Sequence, residues 1–109
     1  MFALGQGASD WYANGNVTGT ATINFNNGNN QGLSLTGSTT LTFSNPLPGA
    51  NYTLAVTQAG SGSYTITWPT IKWVGSAPPA LSTAVGKTDL ISLTYDGTNY
   101  WGTYAYNFG

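Results

Sequence analysis

The side chains that could carry acid–base, nucleophilic or metal chemistry are few in this chain. Among its 109 residues, two are lysine or arginine and three are aspartate or glutamate, while histidine and cysteine are absent. The charged residues are Asp10, Lys72, Lys87, Asp89 and Asp96. None of them stands in a recognisable arrangement with a nucleophile, and a thiolate–zinc site is impossible. The sequence therefore predicts a protein that is not an enzyme, with no catalytic residue, no cofactor and no metal.

One short segment nevertheless carries oxygen ligands. Residues 96–99 are Asp-Gly-Thr-Asn, and their carboxylate, hydroxyl and amide oxygens are of the kind that calcium prefers. The same segment lies between two runs of alternating apolar residues, where Asp-Gly is a strong signal for a hairpin turn. We prefer the turn, which needs no ligand.

Charge and hydropathy exclude several classes of partner. The net charge is −1 and only 5% of residues are charged, compared with about 25% in typical domains. Because the chain has so few cations, it cannot neutralise a run of phosphates, and we expect no nucleic-acid partner. No apolar run approaches the roughly 20 residues that span a bilayer, and the N-terminus lacks the pattern of a signal peptide. We therefore expect no membrane association.

Period-two alternation recurs along the chain and predicts an all-β fold. Turn-forming residues separate short strands at regular intervals, which is typical of an antiparallel β-sandwich or jelly roll. We predict seven or eight strands in a domain over residues 20–109, preceded by an extended arm over residues 1–19. The apolar positions that define the clearest strands are Ala21, Ile23, Phe25, Leu33, Leu35, Leu41, Phe43, Tyr52, Leu54, Val56, Ile91, Leu93 and Tyr95.

Residues 63–73 form the stretch around which we expect the other strands to close. Its apolar positions alternate with threonines as far as Trp68, and the alternation resumes after Pro69 up to Trp73. Because proline has no N–H for a ladder, pairing should stop or bulge at that point. The sequence predicts an antiparallel hairpin between this central strand and the strand at residues 52–56, with both indoles against the core.

The predicted arm carries apolar residues that a chain end does not need for folding. Phe2, Leu4, Trp11 and Tyr12 are the candidate residues for an interface with a neighbouring subunit. The alternative is that this segment is an edge strand or a flap over the domain's own core.

The C-terminal run is rich in aromatic residues. Alternation places Tyr100, Tyr104 and Tyr106 on one face of a strand and Trp101 on the other. Three interpretations remain open: these rings are part of the core, they form a subunit interface, or they form a platform on which sugar rings stack.

Several motifs together resemble a small β-domain found in virion proteins of tailed bacteriophages. The most specific are Trp68-Pro69, the Lys72-Trp73 pair followed by Ala77-Pro78, and the hairpin that begins at Asp96-Gly97. The resemblance extends over roughly residues 20–108. In that family the domain is often the C-terminal module of a tail fibre or of another exposed structural protein.

The resemblance implies a function in an assembly. Because a short arm rather than a long stalk precedes the domain, the chain looks more like a capsid decoration or cement protein, typically a homotrimer whose arm lies on the major capsid protein. The alternative is a tail-fibre or baseplate module that recognises host surface glycans. Both imply a virion protein that is made in the host cytoplasm, and the capsid surface is the favoured location.

Overall fold

The computed structural model describes residues 11–109, which form seven β-strands and two short 3-10 turns. The strands are β1 (Trp11–Asn24), β2 (Asn30–Ser44), β3 (Asn51–Gln58), β4 (Ile66–Thr67), β5 (Lys72–Trp73), β6 (Thr88–Tyr95) and β7 (Tyr100–Phe108), and the 3-10 turns cover Phe25–Asn27 and Val74–Ser76. The all-β class predicted from the alternation is confirmed. Within this part of the chain, no helix is long and apolar enough to cross a membrane.

The strands form one mixed sheet, not the wholly antiparallel arrangement that the sequence predicted. Their order is β1-β2-β3-β6-β7-β5, and β4 pairs with β2 outside this path. β1 with β2, β2 with β3, β2 with β4 and β5 with β7 are parallel, whereas β3 with β6 and β6 with β7 are antiparallel. The prediction of antiparallel pairing is therefore right only for two pairs, β3 with β6 and β6 with β7.

The parallel pairs arise because the chain coils back on itself. β1 would be about 46 Å long if it were straight, but only residues 25–29 connect its end to the start of β2, and they span at most about 20 Å. β1 must therefore bend. Its register with β2 shifts between Ala13 and Asn16 and again between Val17 and Gly19. Gly15 and Gly19 adopt positive φ values of 74° and 75°, which accommodate a bulge at the first shift and a bend at the second.

Successive coils stack their strands into two walls, and one buried core cluster contains side chains from both. One wall contains residues 11–17, 30–35 and 53–58, and the other contains residues 19–24, 39–44 and 66–67. The antiparallel strands β6 and β7 extend the first wall. The buried apolar side chains are Val17, Ile23, Phe25, Leu33, Leu35, Leu41, Tyr52, Leu54, Val56, Ile91 and Leu93.

Buried polar side chains close the bends between the walls. Gln31 is fully buried, and its Nε2 donates to the backbone oxygens of Asn24 and Gly28 at 2.8 and 2.9 Å. Gln58 binds both backbone groups of Tyr64 in a similar way, at 3.2 and 2.8 Å. These amides satisfy backbone groups that would otherwise be unpaired inside the bends.

The stretch at residues 63–73 is not a central strand. It contributes only β4 and β5, two residues each, on opposite sides of Pro69. β3 pairs with β2 and β6, so the predicted hairpin between β3 and this stretch is also wrong. The indoles of Trp68 and Trp73 do pack against the core, as predicted, and meet edge to face with centroids 5.3 Å apart.

The described part of the predicted arm lies in the sheet. Trp11 to Gly19 belong to β1, whose only partner among residues 11–109 is β2, so this segment is an edge strand, as in the alternative given above. Trp11 and Tyr12 are 55% and 42% exposed at its start. Phe2 and Leu4 lie outside the described residues.

Candidate functional site

The turn between β6 and β7 is organised by the carboxylate of Asp96. Its Oδ1 accepts hydrogen bonds from the backbone N–H groups of Thr98 and Asn99 at 2.8 and 2.7 Å. The backbone N–H of Asp96 in turn donates to the Asn99 carbonyl at 3.1 Å. Tyr95 and Tyr100 are opposite each other in the ladder, so the predicted Asp-Gly hairpin is confirmed.

The second oxygen of the same carboxylate holds an aromatic side chain. The indole Nε1 of Trp101 donates to Oδ2 of Asp96 at 2.8 Å. The N–H donors of Asn99, Trp101 and Thr98, in that order of effect, hold the pKa of Asp96 below its ordinary value of 3.8. Because both oxygens already accept protein hydrogen bonds, this carboxylate serves the turn and the indole.

A metal site would need a cluster of ligating side chains. Across residues 11–109, no group of three or more His, Cys, Asp or Glu residues is placed to hold a metal ion. The hydrogen bonds of the Asp96 carboxylate make this segment a hairpin turn that positions a tryptophan.

Trp101 projects from the outer face of the sheet and is 50% exposed. Register pairing places Lys72 of β5 on one side of it and Thr94 of β6 on the other. Lys72, Trp101 and Thr94 thus form a row across three strands. The Thr94 hydroxyl donates to the Asn51 side-chain oxygen at 2.8 Å, which extends this row to β3. At the strand spacing of about 4.8 Å, the row from Lys72 to Asn51 extends over about 14 Å.

Two adjacent grooves flank this tryptophan. They have volumes of about 310 and 360 Å³, and both are lined by Lys72, Trp73 and Trp101. The first also exposes the hydroxyls of Ser92, Thr94 and Thr103. A volume near 300 Å³ is at the lower end of the range for small-molecule sites in proteins. We call the tryptophan, its flanking residues and both grooves the Trp101 face.

The three tyrosines of β7 do not belong to the Trp101 face. Tyr100 packs against the core, with its ring centroid 5.1 Å from that of Phe43 and 4.7 Å from that of Tyr95. Burial raises its pKa to about 12, with smaller contributions from neighbouring phenols. Of the three interpretations (core, subunit interface or sugar platform), Tyr100 therefore fits the core.

Tyr104 and Tyr106 hold the proline-containing loop that precedes β6. The Tyr104 hydroxyl donates to the Ala77 carbonyl at 2.9 Å, and the Tyr106 hydroxyl accepts from the Ala80 backbone N–H at 3.0 Å. Burial, followed by the nearby Tyr106 phenol, raises the pKa of Tyr104. These two tyrosines stabilise a loop, and Trp101 alone among the four predicted residues stands on the open outer face.

Comparison with known proteins identifies no relative. No family model, no curated protein and no solved structure matches this chain. The resemblance to a virion β-domain of tailed bacteriophages therefore stays a prediction.

Trp101 is predicted from the sequence as a candidate residue, but the residues beside it are not. In the sequence, Lys72 stands out only as a charged residue and in the Lys72-Trp73 motif, and Ser92, Thr94 and Thr103 do not stand out. Their polar positions alternate with buried residues of β6 and β7, which marks them as outward-facing. Their position beside a tryptophan depends on strand pairing, which alternation does not reveal.

Proposed function

We propose that this chain is a structural protein of a bacteriophage virion that acts as a capsid decoration protein. The observation that carries the proposal is the edge of β1 that has no partner strand among residues 11–109, with the exposed rings of Trp11 and Tyr12 at its start. An edge strand presents unpaired backbone N–H and C=O groups that a partner strand can bind. The very low charge is consistent with a surface that becomes buried in an assembly, because few charges would have to be desolvated.

The edge has a segment that suits strand addition. Gly19 to Asn24 pair with β2 without interruption, so their other edge is regular and lacks a partner in the described structure. Two outward side chains here, Thr20 and Thr22, are exposed and uncharged. A strand of the major capsid protein, or of a second copy in a homotrimer, would complete this edge and cover the two rings. Binding only to the assembled shell would stabilise that shell by mass action.

The proposal is tested by adding the purified chain to virions or heads that lack it and measuring the bound copies by quantitative mass spectrometry. We expect many copies distributed over the head, and immunogold labelling gives their location. The Trp11→Ala, Tyr12→Ala double variant should bind much less, on the order of tenfold or more, because it loses two large apolar contacts. Val85→Ala removes another exposed apolar side chain, on the loop that precedes β6, and serves as the matched control.

Two outcomes would overturn the decoration role. One is a small number of copies confined to the tail, and the other is equal binding of the double variant and the parent chain. Removing residues 1–10 alone, while β1 is kept intact, separates the contribution of those residues from that of the edge.

A second candidate function is a receptor-binding module of the tail fibre or baseplate. The observation that favours it is the half-exposed indole of Trp101, which a hydrogen bond holds beside a groove lined with hydroxyls. Such a module would bind cells or host glycans as an isolated domain, whereas a decoration protein need not. A cell-binding assay with the fluorescently labelled chain distinguishes the two functions.

A further inference from the structure

The Trp101 face combines an aromatic plane, a cation and several hydroxyls on one side of the sheet. Lys72 and Thr94 flank the indole in the strand register, and Ser92 is opposite Thr103 in the next row. All four of these side chains are exposed. The residues that line the grooves therefore offer one apolar plane surrounded by hydrogen-bonding groups.

The indole of Trp101 is fixed before any ligand arrives. Its Nε1 is bound to Asp96, whose other oxygen is bound to two backbone N–H groups of the turn. A ring held in this way loses little rotational freedom when a ligand stacks on it, which favours binding. The apolar C–H face of a pyranose is a suitable partner for such a ring, because its hydroxyls remain free to hydrogen-bond around the edge.

The charge on this face comes from Lys72. Of the two cationic side chains in the sequence, Lys87 donates to the carbonyl of Gly109, whereas Lys72 is exposed and lines both grooves. The carboxylate of Asp96 lines neither groove and is already bound to three donors. Among the described residues that line the grooves, Lys72 is therefore the charged side chain, and the carboxylate of Asp96 lies at the Nε1 edge of the indole.

We infer that the Trp101 face binds an acidic sugar, a pyranose that carries a carboxylate, such as a uronic acid of a bacterial surface polysaccharide. The sugar ring stacks on the indole of Trp101, its carboxylate pairs with the ammonium group of Lys72, and its hydroxyls reach Ser92, Thr94 and Thr103. This inference deepens the second candidate function and rests on it. It does not depend on β1.

The test uses the full chain on an array of uronic-acid oligosaccharides from bacterial surface polysaccharides, each printed beside its carboxyl-reduced, neutral form. We expect binding to at least one acidic member and weaker binding to its neutral counterpart. Titration of that oligosaccharide into the ¹⁵N-labelled chain should shift the Trp101 indole N–H signal, because this group lies at the site. The indole signal of Trp11, on the opposite edge of the sheet, should not move.

Single-residue variants test which side chains contact the sugar. Trp101→Ala should weaken binding by about tenfold or more, and Trp101→Phe should retain part of it because a ring remains. Lys72→Gln should weaken binding to the acidic sugar and remove the preference over the neutral form. Lys87→Gln removes the other cation and should leave binding unchanged. Circular dichroism of each variant checks that it is folded.

The inference is overturned if no acidic oligosaccharide binds, if acidic and neutral forms bind equally, or if Trp101→Ala binds as well as the parent chain. Association with a protein or with a second copy at this face, in place of sugar, would also overturn it. Attachment to the head is measured separately, on the parent chain and on the Trp101→Ala variant, both of which keep Trp11 and Tyr12. Failure of sugar binding with intact head binding therefore removes the inference and leaves the decoration role.

Discussion

The backbone of Gly102 lies directly against the indole of Trp73. A Cβ atom built on Gly102 would be 2.6 Å from Cε3 and 2.7 Å from Cζ3 of that ring, and 2.9 Å from Cγ2 of Ile71. Real Cβ atoms essentially never make contacts this short. The missing side chain is thus what allows β5 to pair with β7 and bring Lys72 next to Trp101.

Substituting Gly102 should therefore destabilise the fold. We expect Gly102→Ala to lower the free energy of unfolding by about 1–3 kcal/mol, because Trp73 must move from its packed position. Urea denaturation measures this change. The control is Gly32→Ala, where the nearest atom would be the Ala55 oxygen at 3.8 Å and the effect should stay within about 0.5 kcal/mol. Equal midpoints for the two variants would contradict the prediction.

Asp89 should be the charged residue on which stability depends most. Its buried carboxylate accepts hydrogen bonds from the backbone N–H and hydroxyl of Ser82, both at 2.7 Å, and from the Asn107 backbone N–H at 2.9 Å. Asp89→Ala leaves these donors unpaired and should cost about 2–4 kcal/mol in chemical denaturation. Ser82→Ala removes only one of the bonds and should cost about 1 kcal/mol. A smaller loss for Asp89→Ala than for Ser82→Ala would refute this assignment.

The orientation of Trp101 should depend on pH through Asp96. Because the pKa of Asp96 is lower in the folded chain than its ordinary value of 3.8, its contribution to stability is fully present above that pH. The contribution is lost as the pH falls through the folded-state pKa. The NMR signal of the Trp101 indole N–H should therefore titrate with a midpoint below 3.8. Asp96→Asn should abolish the titration, and a midpoint at or above 3.8 in the parent chain would exclude the proposed coupling.

Tyr100 should couple stability to alkaline pH. Burial raises its pKa from 10.0 to about 12, so the folded state favours the neutral phenol. Its contribution is complete below pH 10 and is lost as the pH rises towards 12. We expect urea midpoints to fall across this interval and to fall less for Tyr100→Phe, which keeps the ring but cannot ionise. Identical declines in the variant and the parent chain would show that Tyr100 does not contribute.

The sequence by itself determined the strands β3, β6 and β7 and the final hairpin, because alternation and turn chemistry are local properties. The inward positions of β3, of β6 and of β7 as far as Tyr104 follow the period of two, and Asp96-Gly97 forms the predicted turn. The all-β class follows from the same pattern. The separation of Trp101 from the tyrosines of β7 was also visible in the alternation.

Only the tertiary structure decided which strands are neighbours. The bend at Gly19 lets the early strands stack in parallel, and the space above Gly102 admits Trp73 and places Lys72 beside Trp101. An alternating strand has the same local pattern in a parallel or an antiparallel pair. Its register and neighbours depend on how distant segments close around a shared core, which no short window of sequence contains.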